Sequence, residues 1–212
     1  MMKAKRLLVM DVDGTLIEEE VIDLLGQKAG KGQQMAKITA AAMRGDLEFK
    51  AALEERVAYL EGLDIEEVKK IYKQLHLTKG AQELIQYAHA HQWKVGLVSG
   101  GFYEVLHPLV KKLKIDYVCA NHLAIEKNVL TGKTAGVIVD KTVKLEQVKR
   151  WAKENELGLD EVIALGDGAN DIPMLQSVGT GVAFNAKPLV KASVSYVLDE
   201  RDLMRVLEFL DN

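Results

Sequence analysis

The sequence predicts an α/β protein: a doubly wound, mostly parallel sheet that carries a small inserted helical domain. Three observations predict it. Two short apolar runs, 6–10 and 162–165, end abruptly in aspartates and glycines, as buried parallel strands do where they deliver loops to a crevice. From Lys79 onward, helical and strand-like patterns alternate, which implies right-handed crossovers. Between the first run and Lys79 the chain reads as helical almost throughout, so these helices interrupt a sheet that has already begun. The predicted division is a core of residues 1–16 and 79–212 and an insertion of residues 17–78, set as a cap over the crevice.

The elements follow from local signals. Helical patterns run over 21–29, 33–44, 47–60 and 64–75, broken at Gly30-Lys31-Gly32, Gly45-Asp46 and Gly62, with Asp64 and Glu67 in capping-box spacing. In the core, helices are expected over 79–91, 103–113, 142–156 and 203–210, and strands over 94–99, 117–121, 162–165, 180–184 and 196–198. Segments 123–127 and 129–133 flank Asn128 as a hairpin.

Composition narrows the function. The chain has 212 residues, 48% of them hydrophobic, enough for one sizeable core with a smaller insertion. A net charge of -3 without a long Lys/Arg cluster leaves no footprint for nucleic acid, so the expected partner is a small molecule. The basic start reaches Asp11 too soon for a signal-peptide core, and no stretch is long enough to span a membrane; a cytoplasmic protein, monomer or homodimer, is expected. The single cysteine, Cys119, cannot form an internal disulfide and reads as a buried thiol.

The chemistry lies in three loops. Asp11-Val12-Asp13-Gly14-Thr15 follows the first strand and Gly166-Asp167-Gly168-Ala169-Asn170-Asp171 follows a later one. In open α/β sheets both would meet in the crevice beyond the strand ends. Clustered carboxylates need a cation or shared protons, and hard oxygen ligands without thiolate or paired imidazole favour Mg2+. An Asp-Gly hairpin turn is the plain alternative for the first loop, but a turn alone does not call for the acids of the second. The third loop, Ser99-Gly100-Gly101, offers a hydroxyl and backbone donors for phosphate oxygens.

These loops, with Lys144, resemble the four motifs of the haloacid dehalogenase superfamily of phosphotransferases. The resemblance implies that Asp11 is the nucleophile, forming an aspartyl-phosphate, and that Asp13 is the general acid and base. It implies that Ser99 and Lys144 bind phosphate, that Asn170 orients the phosphoryl group, and that Asp167 ligates Mg2+. The metal is also to be held by the Asp11 side chain and the Asp13 carbonyl, with Asp171 supporting the shell from behind. Without the resemblance, Lys144 reads as the solvated face of an amphipathic helix.

The length and place of the insertion resemble the branch of that superfamily with a small helical cap that hydrolyses O-phospho-L-serine, nearly end to end. That likeness implies that Glu20 binds the substrate ammonium and Arg56 its carboxylate, that Met43 and Phe49 close over it, and that Gly100 donates a backbone N–H. It also implies the final step of serine biosynthesis. Taken alone, Glu18-Glu19-Glu20 is a solvated acidic run and Arg56 an ion-paired helix residue. Two departures stand out: the first motif has Val12 and Gly14 where phenylalanine and serine are common, and Val21 stands where many members carry threonine. His89 and His91 cannot share one helix face, so no metal site is read there. Two alternatives stay open, a phosphatase or phosphotransferase for another small phosphorylated amine or alcohol, and a non-catalytic switch phosphorylated on aspartate.

Overall fold

A computed structural model describes residues 4–43 and 46–210, with 42 and 43 as backbone alone. Seven strands form one sheet: β1 (Leu7–Met10), β2 (Lys94–Phe102), β3 (Tyr117–Glu126), β4 (Val129–Ala135), β5 (Val162–Gly166), β6 (Thr180–Phe184) and β7 (Tyr196–Leu198). Their order is β4-β3-β2-β1-β5-β6-β7, parallel except for the antiparallel β3–β4 pair. The chain runs from β1 outward through β2, β3 and β4 and then returns to the other side of β1 at β5. The topological switch point therefore lies between the carboxyl ends of β1 and β5, where ligands of such sheets bind.

β1 shows why the sheet is buried on both faces. Leu8 and Met10 enter one apolar cluster and Leu7 and Val9 the other, the period of two that a strand imposes. Helices α5 (Ala81–Ala90) and α6 (Tyr103–Leu113) cover the first face, and α7 (Lys141–Glu154) and α8 (Ile172–Ser177) the second; α9 (Pro188–Lys191) follows β6. The helix expected over 203–210 is a 3-10 helix over Leu203–Phe209. Neither α8 nor α9 was expected, because six and four residues are too few for a helical period to register.

Between β1 and α5 lie α1 (Val21–Lys28), α2 (Gly32–Met43), α3 (Phe49–Ala58) and α4 (Ile65–Lys70), the last running into a 3-10 turn over Ile71–Gln74. Their apolar residues Val21, Leu25, Met35, Leu53, Val57 and Val68 belong to the same cluster as the α5–α6 face. Two sets of backbone bonds fasten these helices, the first joining their entry and exit segments to each other and the second tying them to the sheet. At the entry, Ile17 bridges Leu77, and Thr78 N donates to the Leu16 carbonyl at 3.0 Å. At the far end, Gly62 N and Leu130 N donate to the Leu130 and Leu63 carbonyls and Ile65 N to that of Asn128, at 2.8–2.9 Å.

That second tie rests on the expected hairpin. Glu126 pairs with Val129 across Lys127 and Asn128, both at positive φ, the two-residue turn whose twist matches the strands. The capping box expected at α4 does not form. Asp64 does cap, accepting from Glu66 N at 2.7 Å, but the Glu67 side chain is drawn away by Lys28 and Lys70. Cys119 is half-buried rather than fully buried, near the start of β3. Among the described residues no helix is long and apolar enough to cross a membrane.

Candidate active site

β1 and β5 end side by side, Met10 registered on Leu165, and Asp11 N continues the ladder to the Leu165 carbonyl at 2.9 Å. This fixes the two acidic loops against each other. Gly14, at φ +71°, makes the turn that lets them touch: a Cβ there would lie 3.1 Å from Asp167 Oδ2. Carboxylate oxygens of Asp11, Asp167 and Asp171 then fall within 4.8 Å of one another.

One cation serves two of them. Lys144, in the first turn of α7, is fully buried and donates through Nζ to Asp11 Oδ1 at 2.7 Å and Asp171 Oδ1 at 2.8 Å. The solvated face read from sequence alone is thus overturned: α7 starts at Asp140, which accepts from the Thr142 and Val143 N–H groups, and its Lys144 faces the buried carboxylates. Asp171 has its other oxygen on Gly168 N at 3.0 Å, so both of its oxygens are engaged by protein. Three gathered carboxylates against one shared ammonium are a fit donor set for a hard divalent cation.

The third loop closes the floor. Ser99 is buried and its Oγ accepts from Gly101 N at 2.8 Å, which leaves its proton free to donate. Gly101 has no room for a side chain, since a Cβ would lie 2.8 Å from Asp13 Oδ2. The buried Asn121 holds this turn, donating to the Gly100 carbonyl and accepting from Val139 N, each at 2.8 Å.

Asp11, Asp13, Gly100, Asp167 and Asn170 open into a cleft of about 350 Å3 whose opposite wall carries Glu20, Phe49 and Arg56. Phe49 faces Gly100 across it, 3.8 Å from where a Cβ of that glycine would be. Met43 ends α2, and its side chain lies outside the described residues. A larger groove of about 750 Å3 adjoins the cleft at Phe49 and Asn170, but it holds none of the three clustered aspartates.

Residues 8–176 match the family model of haloacid dehalogenase-like hydrolases. The chain belongs to this family. It is 61% identical over 210 residues to the phosphoserine phosphatase of Lactococcus lactis, covering 99% of this chain and 97% of that one. The phosphoserine phosphatase of Streptococcus thermophilus is 53% identical, with 100% and 98% covered. Among solved structures, a phospho-aspartyl intermediate analogue of phosphoserine phosphatase superposes with a TM-score of 0.90 at 37% identity, covering 98% of this chain and 99% of that one. A substrate-bound phosphoserine phosphatase complex superposes at 0.91 with 36% identity and the same coverage.

Electrostatics in this member of the hydrolase family follow from burial. Asp13 is pushed up to about 8 by burial and next by Glu20, although Val21 N donates to its Oδ1 at 3.3 Å. Asp167 rises to about 6 through burial and the Asp171 charge. Asp11 also rises, burial and Asp171 outweighing Lys144. Burial opposes the Lys144 ammonium, but its two carboxylates prevail and hold it charged. Across the cleft, burial lifts Glu20 and depresses Arg56.

Two residues of the site carried no usable sequence signal. Asn121 looked like an ordinary strand end, and only the β2–β3 register shows that it faces the Gly100 turn. Lys187 lines the cleft from the loop after β6, for which the sequence raised no expectation. Its position before Pro188, where the backbone must stay extended, was the available hint of a defined turn.

Proposed function

We propose that this chain hydrolyses O-phospho-L-serine to L-serine and phosphate, in a Mg2+-dependent reaction through an Asp11 phosphoenzyme, as the last, cytoplasmic step of serine formation. The observation that carries the reading is the pairing of two walls. A floor of aspartates, backed by the buried Ser99 and Lys144, suits a phosphoryl group, and 350 Å3 of space separates it from a carboxylate and a guanidinium, Glu20 and Arg56, which suit an ammonium and a carboxylate. Relatives of 53–61% identity that bear the name phosphoserine phosphatase support it.

In this reading, Asp11 Oδ2, which holds no bond to Lys144, attacks phosphorus while the bond from phosphorus to the serine oxygen breaks. Asp13, neutral at pH 7 with its carboxyl at about 8, gives its proton to the departing serine oxygen. Water then attacks the aspartyl-phosphate, Asp13 takes the water proton back, and phosphate leaves with Asp11 regenerated. Ser99 Oγ and Lys144 Nζ stabilise charge on the transferring oxygens. Asp11, Asp167 and the Asp13 carbonyl would hold the Mg2+, which when bound would supply positive charge beside those oxygens. Asp171, engaged by Lys144 and Gly168, holds the lysine in place. The helices α1–α4 serve as the cap that excludes bulk water during transfer.

Phosphate release from O-phospho-L-serine, O-phosphothreonine, phosphoethanolamine and glycerol phosphate, with and without chelator, tests the reading. A chelator-sensitive preference for phosphoserine is expected. Arg56→Ala should cost at least about 100-fold in kcat/KM with phosphoserine, the scale of a lost charged hydrogen-bond pair, and leave p-nitrophenyl phosphate within a few-fold. Equal losses on both substrates would remove the carboxylate clamp. Asp11→Asn should abolish turnover on every substrate; normal turnover would exclude Asp11 as nucleophile.

A further inference from the structure

The mechanism above uses two cations, Lys144 on the floor and Arg56 on the cap, and leaves a third unused. Lys187 lines the same cleft. It is placed there by the sheet: β6 pairs with β5 in parallel, so the loop leaving β6 runs beside the loop carrying Asp167, and Lys187 N donates to the Asp167 carbonyl at 3.3 Å. Pro188 holds the Lys187 backbone extended, at φ -65° and ψ 152°. Among the described residues its ammonium has no ion-pair partner, although two acids, Glu20 and Asp167, sit near enough for its charge to hold both lower than burial alone would.

Counting charge shows what that lysine does. The carboxyl groups of Asp11, Asp13, Glu20, Asp167 and Asp171 gather here with three cations, Lys144, Arg56 and Lys187. The substrate class proposed above arrives as a net dianion, its phosphate doubly charged and its carboxylate and ammonium cancelling. We propose that Lys187 is the third cation of the site: it adds positive charge to the metal-loaded cleft and so helps hold the phosphoryl dianion, at the expense of divalent-cation affinity before substrate arrives. This rests on the phosphomonoesterase reading but not on serine as the leaving group, because Lys187 acts on charge that every phosphomonoester shares.

The inference makes two predictions of opposite sign, which loss of packing cannot imitate. Lys187→Met keeps most of the apolar stem and removes only the charge. Titration calorimetry of Mg2+ into the chelator-stripped protein, without substrate, should show binding about three- to tenfold tighter than wild type, the Coulomb effect of one cation several ångströms away near a wet surface. In the same variant KM should rise by about the same factor for both O-phospho-L-serine and p-nitrophenyl phosphate, with kcat within about twofold. The wild-type advantage in KM should shrink as salt is raised, and Lys187→Arg should restore both constants. Unchanged Mg2+ affinity and KM, or a loss of both together, would overturn the proposal. If wild type turns over p-nitrophenyl phosphate but not phosphoserine, the serine reading falls and Lys187 is judged on that substrate and the calorimetry. If it turns over neither, the Mg2+ titration alone decides.

Discussion

Lys144 is the residue on which the site's integrity turns. A fully buried ammonium between two carboxylates compensates charges that burial would otherwise suppress, and removing one partner from such a cluster leaves the others unpaired. Lys144→Met should therefore cost about 3–5 kcal/mol of stability in urea unfolding of the metal-free protein, as well as turnover. Mg2+ should return part of that stability, because the orphaned Asp11 and Asp171 carboxylates then have another cation available. A variant as stable as wild type, with only turnover lost, would mean the lysine acts on substrate alone. Sequence pattern could not have found this: nothing in the spacing of α7 separates a lysine buried against carboxylates from one on the solvated face. The acidic loops were legible because two aspartates beyond a buried strand have few other uses. Asn121 and Lys187 were not, because each acts through a neighbouring strand that only the register supplies.

At the scale of elements, strands and long helices were readable from period and punctuation, whereas α8, α9 and the terminal 3-10 turn were too short to show a period. What could not be read was how the helices between β1 and α5 are fastened. They share an apolar cluster with the sheet, their entry and exit segments are bonded to each other at Ile17–Leu77, and they are bonded to the sheet at the 128–130 hairpin. A rigid rotation that lifted all four helices would break the second set of backbone bonds, each costing its desolvation. Opening for substrate exchange should therefore be confined to α2 and α3, with α4 staying docked. Hydrogen exchange checks this: the amides of Gly62, Ile65 and Leu130 should be protected comparably to those of β1, while α2 and the start of α3 exchange faster. Fast exchange at the hairpin would restore rigid-body opening. The shared core also predicts a single cooperative thermal transition, with no separate melting of α1–α4.

For the molecule as a whole, the buried acids tie stability to pH and to metal. Asp13 at about 8, Asp167 at about 6 and the raised Asp11 all bind protons more tightly folded than unfolded, chiefly because of burial. The sign follows from linkage: their contribution is fully present below about pH 4, where both states are protonated, and is lost as pH rises through about 6 and about 8. The metal-free protein should therefore lose stability steadily from about pH 5 to pH 8.5. His76, raised by the Glu19 carboxylate at the entry strands, slopes the same way from its ordinary 6.5 upward, so a pH profile alone would not isolate the site. Mg2+ separates them, since it replaces protons among the aspartates and does nothing at His76. The melting temperature with saturating Mg2+ minus that with chelator should be small at pH 5.5 and several degrees larger at pH 8.5, where the acids have given up their protons. An equal difference at both pH values would mean the cation does not bind where the buried carboxylates titrate, and the metal would have to be sought elsewhere on the chain.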